Sequence, residues 1–168
     1  EPYNNNKILV VNPTTKALEA PINIGTDADT MESKDGILYV MRSPYGVASE
    51  IVKLKLSDNT LSKITFPTDL QGAKNLDIEQ SKIYYTVGTS VYGMNLTATE
   101  ASNTAILSYT SSSAYGKMYG FAVRNNHIFI ADGGDFTAKS KAYVYSLTGT
   151  LEKEFTVGVG PNGFYFND

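Results

Sequence analysis

Asp35-Gly36-Ile37-Leu38-Tyr39-Val40-Met41-Arg42 is a two-residue turn followed by a run of aliphatic and aromatic residues. Advancing by 45 residues gives Gln80-Ser81-Lys82-Ile83-Tyr84-Tyr85-Thr86-Val87, and a second step gives Asn125-Asn126-His127-Ile128-Phe129-Ile130-Ala131-Asp132. Turn falls on turn: Asp35-Gly36 on Gln80-Ser81 on Asn125-Asn126. Leu38 falls on Ile83 and Ile128, Tyr39 on Tyr84 and Phe129, and Met31 on Leu76 and Phe121. Short apolar and aromatic runs bounded by Gly, Asn, Asp, Ser or Pro are the pattern of β-strands joined by tight turns. None of these runs reaches helical length before a turn signal ends it.

Working outward, each period holds four such runs. The fold expected is all-β, with propeller blades of four antiparallel strands and a repeat of about 45 residues. A four-stranded sheet this small cannot bury both faces by itself, and stacking blades around an axis buries them against each other. With A the inner strand and D the outer, the first blade places A near 30–34, B at 37–42, C at 50–56 and D at 61–66. The second places them near 74–79, 82–87, 90–95 and 104–109, and the third at 119–124, 127–131, 140–146 and 151–157. The corresponding blades are 26–67, 68–112 and 113–158. A partial blade, 1–25, precedes them, with strands C and D at 7–12 and 17–23. A closing inner strand, 161–168, follows. Three full blades with partial strands at both ends leave sheet edges unpaired. The expectation is therefore the C-terminal part of a six- to eight-bladed propeller. The alternatives are a small four-bladed ring closed by the last inner strand on the first C strand, or a ring completed by a second copy or by a missing N-terminal half.

Composition narrows function by exclusion. The chain has 168 residues, with 14 Lys and Arg against 17 Asp and Glu, for a formal charge of −3. That balance is a poor match for a nucleic-acid backbone. No apolar run approaches the length of a transmembrane helix. With no Cys, disulfides, thiolate nucleophiles and thiolate metal sites are absent. A single His and no Gly-x-Ser-x-Gly elbow leave little for a catalytic triad. No P-loop or dinucleotide fingerprint is present. The expectation is a non-enzymatic chain with no cofactor and no metal.

Candidate binding residues come from the loops that converge on one face of a propeller. Tyr3 precedes Ile8, Tyr45 precedes Ile51 and Phe136 precedes Ala142 by five or six residues, so successive blades are expected to carry an aromatic in the B–C loop. A ring of loop aromatics suits a ligand or a partner; the alternative is that each packs on the neighbouring loop. The D–A loops add Tyr115 and Tyr119, together with Met118, Lys74 and Asn75. Arg42 and Asp132 end two B strands 90 residues apart and offer opposite charges to a polar ligand, or else form salt bridges. Glu32, Asn75 and Asn125 could place oxygen ligands around a central metal, as in a lactonase-type hydrolase, although they share no common register. His127 begins a strand at a turn and reads as a surface residue.

Two stretches carry a resemblance. One is Ile128-Phe129-Ile130-Ala131-Asp132-Gly133-Gly134-Asp135 with Ala142-Tyr143-Val144-Tyr145-Ser146, Gly149 and Phe155-Thr156-Val157-Gly158; the other is Gly160-Pro161-Asn162-Gly163-Phe164-Tyr165-Phe166. Together they resemble the last blade and closing strand of YncE-like β-propellers of Bacteroidetes. The resemblance is specific over about the last 45 residues and holds at blade level over the rest. It implies an exported parent anchored at the outer-membrane surface as a lipoprotein. It also implies a small-molecule ligand, cobalamin in one branch, handed to a TonB-dependent outer-membrane transporter. The transporter or another protein bound by the same face is the competing partner class. Asp29-Thr30-Met31 resembles an O-glycosylation motif of exported Bacteroidetes proteins, and its use would require an exposed Thr30.

Overall fold

A computed structural model describes residues 6–167. Fourteen strands follow one another, with no helix among the described residues. β1 (Lys7–Ile8) and β2 (Ile22–Asn23) form a two-stranded hairpin, extended by a bridge between Val11 and Leu18. Three four-stranded antiparallel sheets follow. The first holds β3 (Ala28–Lys34), β4 (Ile37–Arg42), β5 (Glu50–Lys55) and β6 (Leu61–Thr65). The second holds β7 (Ala73–Glu79), β8 (Lys82–Val87), β9 (Ser90–Asn95) and β10 (Leu107–Ser108). The third holds β11 (Gly120–Arg124), β12 (His127–Asp132), β13 (Ser140–Ser146) and β14 (Leu151–Val157). Each sheet is ordered as the chain runs, which is the meander of a propeller blade.

Local sequence explains the hairpins. Both residues of Asp35-Gly36 and both of Asn125-Asn126 have positive φ, the geometry whose twist matches the flanking strands and which Asp, Asn and Gly tolerate. Alternation along the strands then sorts side chains between two faces. Tyr39 and Met41 of β4 pack toward the second sheet, in a core with Leu76, Ile78, Ile83 and Tyr85. Their neighbour Val40 points the other way, joining Val52 and Ile24 against the hairpin. One period later Tyr84 packs toward the third sheet, with Val123, Ile128 and Ile130. Core thus lies between blades, and every interface uses the two faces of a strand in the same sense.

The third repeat of this aromatic, Phe129, faces away from the second sheet and is covered by Phe164 and Phe166, at ring-centroid distances of 5.5 and 5.0 Å. The segment that supplies them departs from expectation. Instead of an inner strand, 161–167 runs alongside β11 without forming a ladder. Its backbone at Asn162 and Gly163 fills the space beside Gly120, where a Cβ would lie 2.8 Å away. Its Phe164 and Phe166 rings pack on Phe129. It does not pair with β1: among the described residues no ladder joins the two ends, and the small four-bladed closure is not formed.

The inner strands are stitched to one another by side chains. Glu32 of β3 accepts the Ile78 N–H of β7 at 2.6 Å. Forty-five residues on, Asp77 of β7 accepts the Val123 N–H of β11 at 2.7 Å. The Thr30 hydroxyl oxygen accepts the Leu76 N–H at 2.9 Å, so Thr30 is half-buried against the next blade. The exposure that the glycosylation motif requires is therefore not met.

Candidate functional site

The B–C and D–A loops emerge on one face. Loop length differs between blades, and this shapes the face. Residues 43–49 join β4 to β5 and residues 133–139 join β12 to β13, but only Gly88 and Thr89 join β8 to β9. Successive blades therefore do not each carry a loop aromatic, as the spacing had suggested; the middle blade has a tight turn opened by Gly88 at φ +61°. The missing bulk leaves a trough between the inner strand of the second blade and the 114–119 loop.

That trough is a cleft of about 510 Å³. Lys74 and Asn75 of β7 and Thr86 of β8 form its floor and one wall, and the loop carrying Tyr115, Lys117 and Tyr119 forms the other. At Gly72 it adjoins a second cleft of about 390 Å³, formed by Ser43, Pro44, Tyr45, Gly46 and Gln71. Tyr45 is fully exposed and Tyr115 is 85% exposed.

The wall loop is held rigidly. The Asp132 carboxylate accepts the Ser111 hydroxyl and the Gly134 N–H, both at 2.9 Å. Gly133 N–H donates to Gly116 O at 2.8 Å, joining the D–A and B–C loops of the third blade. Gly116 makes that approach possible, because a Cβ there would fall 2.3 Å from Gly134 O. The Met118 N–H donates to the Tyr109 hydroxyl at 2.8 Å, and Met118 O accepts the Asn75 side-chain amide at 3.2 Å. Burial pushes the Tyr109 phenol well above its ordinary value, so it stays protonated. The Asn75 amide also donates to the Thr86 hydroxyl oxygen at 3.1 Å, which fixes its orientation.

The expected site residues separate into groups. Tyr115 and Tyr119 line the larger cleft and Tyr45 the smaller one. Phe136 meets Tyr119 edge-on at 4.8 Å and lies over Gly133 and Gly160, so it supports the tyrosine from a neighbouring loop. Arg42 adopts the salt-bridge alternative. It is 8% exposed, its Nε donates to Thr26 O at 2.7 Å, and its guanidinium pairs with Glu50, which Lys63 also holds at 3.0 Å. A ligand reaching Arg42 would have to compete with the Thr26 carbonyl and the Glu50 carboxylate. Asp132, 3% exposed, braces the loops through its Oδ1. Tyr3 lies outside the described residues. Thr86, Gly88 and Lys117 escaped the sequence reading because their importance follows from the short turn and from how two blades face each other.

At the axis, Glu32 and Asp77 lie one period apart, and both accept backbone N–H groups of the next inner strand. Among the described residues no three His, Asp or Glu side chains come together as a cation site. His127 ties its Nδ1 to Asn125 O and its Nε2 to Glu152, as a surface turn residue would.

No protein-family model matches the chain, and no curated protein matches it by sequence. Solved structures do resemble it. Regucalcin of Agrobacterium tumefaciens, described as a calcium-binding protein, matches with a TM-score of 0.63 at 15% identity, over 96% of this chain and 58% of that one. AztD of Citrobacter koseri matches with a TM-score of 0.48 at 10% identity, over 92% of this chain and 45% of that one. The likeness to regucalcin is one of fold, the β-propeller, and this chain spans 58% of its length.

Proposed function

We propose that this chain is a non-enzymatic binding module that takes a small molecule on its loop face. The observation that carries the reading is the cleft of about 510 Å³ beside the inner strands. Its size falls in the range of small-molecule sites, roughly 300–1,000 Å³, and a few fixed polar groups accompany exposed aromatic rings. Tyr115 and Tyr119 supply ring faces for stacking, and Asn75, locked by two hydrogen bonds, supplies orientation.

The resemblance of the last blade to YncE-like propellers makes a corrinoid the first ligand to try. In that reading the parent protein is exported, anchored at the outer-membrane surface, and passes its ligand to a TonB-dependent transporter. Calorimetric titration with cyanocobalamin tests it. Saturable 1:1 binding is expected, weakened about five- to ten-fold by Tyr115→Ala, as loss of a stacking partner worth roughly 1–1.4 kcal/mol requires. Absence of binding removes the corrinoid, and unchanged binding in Tyr115→Ala and Tyr45→Ala removes the loop face.

A second reading has one favouring observation. Tyr45 and Val47 protrude from the longest-reaching loop of the first blade, and exposed aromatics of this kind serve as anchors in protein interfaces. A transporter surface is the partner class this reading names.

A further inference from the structure

The protein is acidic, yet the larger cleft is not. Lys74 and Lys117 line it from opposite walls, and no Asp or Glu does. The other cations that form ion pairs spend their charge within the fold: Arg42 and Lys63 on Glu50, Lys55 on Asp58, and Lys141 on Glu154. Among the described residues, Lys74 and Lys117 have no carboxylate partner. Asp132, which braces the wall loop from the end of β12, is buried and held by Ser111 and Gly134.

Space and geometry accompany the charge. Gly72 and Gly88 have nothing within 4 Å of where a Cβ would stand, so a ligand meets bare backbone there. Asn75 directs its amide N–H groups into the protein, and its Oδ1 accepts no hydrogen bond among the described residues. Tyr115 stands almost free above the two lysines' cleft. One ligand description satisfies all of these: an anionic group between two ammonium groups, an aromatic ring against Tyr115, and a donor toward Asn75.

We propose that this cleft binds a small ring-bearing anion, a carboxylate or a phosphate ester, held by Lys74 and Lys117. This rests on the loop-face reading but not on the corrinoid. Lysine suits the role as a mobile point charge that gains from closing on an anion in a partly enclosed site. The attraction is screened by salt, because the cleft stays open to solvent.

Three probes with one ring system isolate the charge: 1-naphthyl phosphate, 1-naphthoate and the neutral 1-naphthol, followed by amide NMR titration of the full chain at low salt. The anions are expected to shift resonances at 74–75, 86–89 and 114–119. They should bind about ten-fold tighter than 1-naphthol, and the difference should shrink at high salt. K74Q/K117Q should bring the anions down to the affinity of 1-naphthol, while K153Q on β14 should change nothing. Tightening by both anions supports a site that takes either head group by its charge, tightening by 1-naphthoate alone assigns the carboxylate class, and tightening by the phosphate alone assigns the phosphate class. If 1-naphthol binds in the cleft as tightly as the anions, or the lysine substitutions leave the anions unaffected, the charge inference is overturned and the loop-face reading stands. If none of the three shifts cleft resonances, both fall.

Discussion

Arg42 shows how one side chain can look like a ligand group and be a structural one. Its position at the end of β4 brings it to the loop face, as its spacing suggests, but the fold folds Thr26 and Glu50 around it. Removing Arg42 strips the Thr26 carbonyl and the Glu50 carboxylate of their buried donor and leaves Lys63 alone to hold Glu50. Arg42→Met is expected to destabilise the chain by about 3 kcal/mol, read as a lowered urea midpoint, while affinity at the larger cleft stays within two-fold. A variant that keeps its stability and loses ligand would return Arg42 to the site. Tyr115 is the opposite case. No partner in the structure explains its exposure, which is why its truncation is the test of binding.

At the scale of elements, the inner strands form a relay of carboxylates. Burial first and the neighbouring Asp77 charge second push Glu32 up to about 7, opposed by the Ile78 N–H and Lys34. Asp77 is raised by burial and by Glu79, and lowered by the Val123 N–H. A carboxyl whose value rises on folding holds its proton more tightly in the folded chain. Its contribution is therefore fullest below its ordinary value of 4.5 and is lost as pH climbs toward about 7. Stability is expected to fall between pH 5 and pH 8 by about 1 kcal/mol, discounted because the pair is only half-buried. Glu32→Gln, which keeps an oxygen for Ile78 and removes the charge, should flatten that slope. A slope unchanged in Glu32→Gln would show that other groups set it. Glu32 and Asp77 stand 45 residues apart; that each reaches the next strand's backbone is not legible in spacing, because the offset between adjacent blades is a matter of packing.

For the whole molecule, stability is a sum of blades and the interfaces between neighbours. The Phe164 and Phe166 rings cover the outer face of the third blade at Phe129. Replacing both by Ala is expected to cost about 2–4 kcal/mol from lost apolar burial. Hydrogen exchange should accelerate in β11–β14 and remain unchanged in β3–β6, since the effect passes only through contacts between neighbouring blades. Uniform acceleration across all three sheets would instead mean that the chain opens as one unit.

The sequence by itself determined the blades. B strands 37–42 and 82–87 and the outer strands 140–146 and 151–157 lie where alternation and turn residues put them. Strand identity is a local property, fixed by which side chains fit a pleat and which residues tolerate a turn. Tertiary structure alone decided the rest. It buried Arg42 and Asp132, turned 161–167 into an unpaired cover, and opened a cleft where Gly88 and Thr89 replace a long loop. Each of these depends on what faces a residue from another blade, and one-dimensional spacing carries no record of that distance.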